Sequence, residues 1–174
     1  MIVKEKLVEA LNGQIRSEFT ASAQYLAISV YFDVEALPDL AAFFSRQAAE
    51  EHLHAMKFVR FILDAGGKPI IPGMPELRNE FGSAAEAVRF ALEQEVKVTD
   101  QINHLVSLSI QEGDHITHNF LQWFVTEQVE EVATMTNLLQ TIKHAGNNLL
   151  LVEEYVRRRP QHQGQAAPAE AEAA

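Results

Sequence analysis

FFSRQAAEEHLHAMKFVRFIL, residues Phe43–Leu63, repeats its apolar side chains at the spacing of a buried amphipathic helix. Leu40, Phe44, Ala48, Ala55, Phe58 and Ile62 fall on one stripe, and so do Glu51 and His54. Three residues is nearly one helical turn, a rise of roughly 4.5 Å, so the carboxylate and the imidazole face the same way. On an apolar face each costs several kcal/mol unless something pairs with it. A metal ion is the natural partner, provided other helices bring matching ligands.

Helical periodicity extends over most of the chain, and strand signals are nearly absent. A first helix is predicted from Lys4 to Asp33, with Leu7, Leu11, Ile15, Tyr25 and Phe32 on one face. The second runs from Pro38 to Ala65 and stops at Gly66-Gly67. The third starts in a capping-box pattern at Ser83–Glu86 and ends before Gly113. Asp114 caps the fourth, which reaches Ala145, and a short fifth helix spans Asn148–Arg158. Short links make the first and third helices antiparallel to their successors. The link GGKPIIPGMPELRNEFG, Gly66–Gly82, is rich in proline and glycine. At up to ~3.3 Å per residue it can run the length of a bundle. The expected fold is all-α: a four-helix bundle with one long crossover plus a short C-terminal helix, the arrangement of ferritin-like folds. Residues 1–158 form that domain. Residues 159–174 are a low-complexity tail, and the composition of Gln161–Ala174 predicts flexibility.

The 174 residues are 47% hydrophobic, enough for one sizeable core. A formal net charge of -10 argues against nucleic acid as a partner. The absence of cysteine excludes disulfides, zinc-thiolate sites and iron–sulfur clusters. The N-terminus turns polar too soon for a signal peptide, and no apolar run spans a membrane, so a cytoplasmic location is expected.

Each long helix interrupts its apolar stripe with acids: Glu18 on the first, Glu51 on the second and Glu95 on the third. On the fourth, Glu127 and Glu131 share a face, with Glu130 at its shoulder. Carboxylates converging at mid-length repel one another and must stay protonated unless cations join them. Oxygen donors with one imidazole and no sulfur suit iron or manganese, with zinc as competitor. Glu51, midway, is placed to bridge two metals.

Residues 4–158 resemble a bacterial non-haem ferritin through SEFTASAQY (17–25), FFSRQAAEEHLHA (43–55), LEQEV (92–96) and FLQWFVTEQVEE (120–131). The resemblance implies that Glu18, Glu51 and His54 hold a first iron, and that Glu51, Glu95 and Glu131 hold a second. It implies a third, weaker site at Glu50, Glu127 and Glu130, with Tyr25 beside the diiron centre and Gln128 near the oxygen-binding region. The implied activity is ferroxidase: ferrous iron is oxidised by dioxygen, and ferric mineral is stored in a cage of twenty-four identical subunits. The fifth helix, with Leu149–Val152, would line fourfold contacts. Bacterioferritins carry a second Glu-x-x-His on the fourth helix, where this chain has Glu127-x-x-Glu130. Their haem-ligating methionine follows the bridging glutamate, where this chain has His52, which argues against haem.

Alternatives are a storage shell without fast oxidase activity, a diiron oxidase or peroxide-scavenging enzyme, and a structural bundle. Glu112-x-x-His115 spans a helix break and reads as coincidence, and Trp123 reads as packing. Asp114 and His118 are candidates for cation entry, with capping and solvation the alternative.

Overall fold

Among the described residues the unbroken periodicity folds as five helices: α1 Glu5–Val34, α2 Pro38–Asp64, α3 Ala84–Gln111, α4 His115–Ala145 and α5 Leu149–Arg158. The computed structural model describes residues 2–73, 75–146 and 148–158, and the tail expected at Gln161–Ala174 lies outside the described residues. Among the described residues there is no strand, and no helix is long and apolar enough to cross a membrane.

The helix ends follow local chemistry. Ser83 Oγ accepts the Glu86 amide at 3.1 Å, and Glu86 answers by accepting the Gly82 amide at 2.7 Å. This is the capping box read from the sequence, reaching back one residue further than its usual form. Asp114 accepts the Thr117 amide at 2.9 Å and caps α4. Gly66 and Gly113, past the ends of α2 and α3, take the left-handed backbone that ends a helix.

The start of α2 has no cap of its own. Glu153 of α5 supplies one, accepting the Asp39 and Leu40 amides at 2.9 and 2.8 Å. A carboxylate there satisfies orphan donors and complements the helix dipole. Glu153→Ala is expected to lower the stability of the metal-free protein by about 1–2 kcal/mol. A denaturant midpoint equal to that of the parent protein would contradict this capping role.

Two contacts set the topology. The Ile2 amide donates to the Ala65 carbonyl at 3.0 Å, so α1 begins where α2 ends. Lys6 at the start of α1 pairs with Glu112, just past α3, at 3.0 Å. Thus α1 is antiparallel to both α2 and α3, and α2 and α3 are parallel. The crossover joining them is tied to α1 by two side-chain amides. Asn12 donates to the Lys68 carbonyl at 3.1 Å and accepts the Ile70 amide at 2.7 Å. Gln24 donates to the Arg78 carbonyl at 2.7 Å and accepts the Arg78 amide at 3.0 Å. Each amide satisfies both backbone polar groups of a segment that has no sheet or helix to do so. α5 packs across the ends of α2 and α4.

The core has two apolar halves. One contains Tyr25, Phe32, Phe44, Val88, Ala91, Met135 and Leu138. The other contains Leu11, Ile15, Phe58, Val98, Ile102, Leu121 and Phe124. On each of the four long helices the sequence between these halves carries a buried acid: Glu18, Glu51, Glu95, and Glu127 with Glu131. The fold therefore holds a polar layer at mid-height.

Candidate metal centre

Within that layer, Glu18, Glu51, His54, Glu95 and Glu131 are each no more than 4% exposed. Their ligand atoms form interlocking groups, all within 4.8 Å of one another in each group. One group is Glu18, Glu51 and His54, and another is Glu51, Glu95 and Glu131. Glu51 belongs to both, the position of a bridging carboxylate. The third group is Glu50, His54, Glu127 and Glu131. It differs from the set Glu50, Glu127 and Glu130 expected from the sequence. Glu130 is exposed and joins none of the three groups, because it lies about 100° around α4 from Glu131.

Burial dominates the electrostatics. It pushes the Glu18 carboxyl from 4.5 up to about 7. Glu51 and Glu131 are raised well above the ordinary range, by burial first and then by Glu95. Burial also raises Glu95, against hydrogen bonds from Tyr25 and Gln128 that pull it down. Glu18 Oε2 is buried with no donor beside it. Glu18 and Glu51 also meet carboxyl to carboxyl, a contact that becomes a hydrogen bond only when one of the two is protonated. That contact pulls Glu18 down and pushes Glu51 up, against a background in which burial raises both.

His54 Nδ1 lies 3.1 Å from Glu51 Oε2. Burial, with a smaller push from Lys57, lowers His54 to about 4. The imidazole is therefore neutral near pH 7, and its contact with Glu51 is a hydrogen bond rather than an ion pair. A neutral ring keeps a lone pair for a metal. Trp123 stands edge-on to His54 with ring centroids 5.4 Å apart, and Lys57 Nζ sits 4.2 Å from the Trp123 centroid.

Tyr25 donates to Glu95 Oε1 through a short hydrogen bond. Burial, reinforced by the Glu95 charge, holds the phenol well above its ordinary pKa, so it remains protonated. Gln128 donates to Glu95 Oε2 at 3.2 Å and to Thr99 Oγ1 at the same distance. Two buried glutamines escaped the sequence reading. Gln14 donates to Glu18 Oε1 at 2.8 Å, and Gln47 donates to Glu50 Oε2 at 3.0 Å. Each is a polar residue on an apolar stripe, the signal that exposed Glu51.

At the α3–α4 turn the polar side chains have local partners. Glu112 pairs with Lys4 and Lys6, consistent with a coincidental Glu-x-x-His. Asp114 is buried and committed to capping, and His118 stands beside Gln122. His52 is exposed and meets Phe19 edge-on at 5.4 Å, and Met56 is 42% exposed.

Carboxylate oxygens with one neutral imidazole, in two groups sharing one acid, are a donor set that suits a hard cation. Without cations these acids must hold protons.

A model of the ferritin-like domain matches residues 8–145. The chain is 49% identical over 148 residues to ferritin BfrB of Mycolicibacterium smegmatis, covering 85% of this chain and 82% of the relative. It is 35% identical over 156 residues to the bacterial non-heme ferritin of Staphylococcus aureus (strain MRSA252), covering 88% and 94%. The open pore ferritin from Archaeoglobus fulgidus superposes with a TM-score of 0.88 at 36% identity, covering 91% of this chain and 99% of that one.

Proposed function

Since the chain belongs to the ferritin family, we propose that it stores iron and oxidises it on entry, at a diiron centre inside each subunit. The observation carrying this reading is Glu51, shared by two ligand groups contributed by four helices. Iron here is substrate. One ferrous ion is held by Glu18, Glu51 and His54, and the other by Glu51, Glu95 and Glu131. Each ferrous ion gives up one electron, so the pair delivers two and takes dioxygen to the peroxide level. The protein supplies charge and rigidity. Buried carboxylates favour the ferric over the ferrous ion, and the helices fix the spacing. Protons held by the acid cluster leave as iron enters.

Glu50 and Glu127 extend the ligand set past His54 and Glu131, and they are the proposed exit for oxidised iron. Tyr25, locked on Glu95, is the redox-active neighbour in this reading, and Gln128 borders the oxygen side. The chain is proposed to act in the cytoplasm as a homo-oligomeric cage of twenty-four subunits, without haem. Exposed apolar side chains support assembly: Leu26, Val30 and Val34 along α1, and Leu150 and Leu151 on α5.

Metal-free protein given two ferrous ions per subunit in air is expected to consume dioxygen and develop ferric absorbance within seconds. On a sizing column it elutes as a large shell. Slow oxidation no faster than in protein-free buffer would leave a storage shell without oxidase activity. Elution as a monomer or dimer would remove the cage.

A further inference from the structure

Gln14 is 3% exposed, sits four residues before Glu18 on α1, and has no partner in the mechanism above. An amide so deeply buried is costly unless hydrogen-bonded. Its Nε2 donates to Glu18 Oε1 at 2.8 Å. The other oxygen, Oε2, is equally buried and receives no donor. Glu18 lies with Glu51 and His54, their ligand atoms within 4.8 Å. One Glu18 oxygen is thus taken and the other receives no donor, on a residue whose carboxylate belongs to the first group.

We propose that Gln14 is a positioning residue: its amide fixes the Glu18 carboxylate so that Oε2 alone faces the first metal. The inference rests on the diiron reading. A carboxylate with neither oxygen held turns freely about its last torsion, whose energy profile is broad. It can then meet a cation through either oxygen or both, or turn towards Glu51. The donor's chemistry also fits. A lysine or arginine in its place would orient the acid equally well but would cancel the charge that attracts a cation. A glutamine orients without adding charge. The donors on Glu95, Tyr25 and Gln128, are neutral in the same way.

The test uses the assembled metal-free protein and Co2+, which binds as ferrous iron does but is not oxidised by air, with visible absorption reporting ligand geometry. Gln14→Met keeps the shape and removes the donor. It is expected to weaken one of two Co2+ sites roughly tenfold, the scale of a lost ligand-orienting hydrogen bond, and to alter that site's band shape. The second site should stay within about twofold of the parent protein. In a Glu18→Ala background the same change should cause no further loss, because Gln14 acts only through Glu18. Gln14→Asn, a methylene too short to reach, should repeat the single-site loss and gives the same readout if Gln14→Met does not assemble. Parent-like affinity at both sites, or equal and additive weakening of both, overturns the positioning role while leaving the centre intact. Absence of any Glu51-dependent Co2+ binding in the parent protein overturns both readings.

Discussion

Glu51→Ala is expected to slow the rapid phase of iron oxidation by at least ~100-fold, because it deletes a ligand from both metal groups at once. His54→Ala removes one donor, neutral and shared with the Glu50 group, and should slow the same phase less. Neither change should dismantle the shell, since both residues are interior to one subunit. The Glu51 variant carries a second signature. In the metal-free protein Glu51 is a buried acid among Glu18, Glu95 and Glu131, and removing its desolvation cost offsets part of the cavity left behind. Stopped-flow absorbance of both variants checks the assignment, and parent-like rates in Glu51→Ala would remove it.

The second large effect is a pH-dependent stability that metal reverses. Glu18 is raised from 4.5 to about 7, and Glu51, Glu95 and Glu131 are raised with it. The folded protein therefore keeps protons that the unfolded chain has released. Stability from this source is complete below pH 4.5 and is lost as pH rises through 7 and beyond. Over that window Glu18 alone accounts for about 3 kcal/mol per subunit. His54, lowered from 6.5 to about 4, acts in the opposite sense: its contribution is complete above 6.5 and lost as pH falls towards 4. The two oppose each other at intermediate pH, and above 6.5 the acids act alone. Metal-free protein should therefore lose melting temperature between pH 6.5 and about 8. Glu18→Gln should remove its share of the slope up to about pH 7, leaving Glu51 and Glu131 to carry the rest, and a bound divalent cation should abolish it. Calorimetry at the two pH values decides this. A metal-free protein whose stability rises over that range would contradict the protonated cluster.

Much of this architecture is legible in the sequence because it is local. Helical periodicity, Ser83 and Asp114 as caps, and Gly66 and Gly113 as stops all act within a few residues. The acids were legible because a charged residue on an apolar stripe is conspicuous wherever the helix later packs. Contacts made only by folding were not. Glu153 caps α2 from over a hundred residues away, and Asn12 and Gln24 secure a crossover more than fifty residues further on. No local pattern encodes such pairings. Gln14 and Gln47 escaped because glutamine is common on exposed helix faces, and only burial turns it into a statement about a neighbouring acid. Glu130 went the other way. The resemblance implies it as a ligand with Glu50 and Glu127, but one residue before Glu131 on the helix it is exposed and joins none of the ligand groups. Asp114 followed its local signal, capping α4 as its place just before the helix predicts.

The central claim is that two cations share Glu51 at the middle of the bundle. Crystals of the metal-free protein soaked anaerobically in ferrous salt, with anomalous scattering collected at the iron edge, test it most directly. Two strong peaks per subunit are expected, one among Glu18, Glu51 and His54 and one among Glu51, Glu95 and Glu131, with Glu51 bound to both. Iron confined to surface carboxylates, or a single peak that does not touch Glu51, would contradict it.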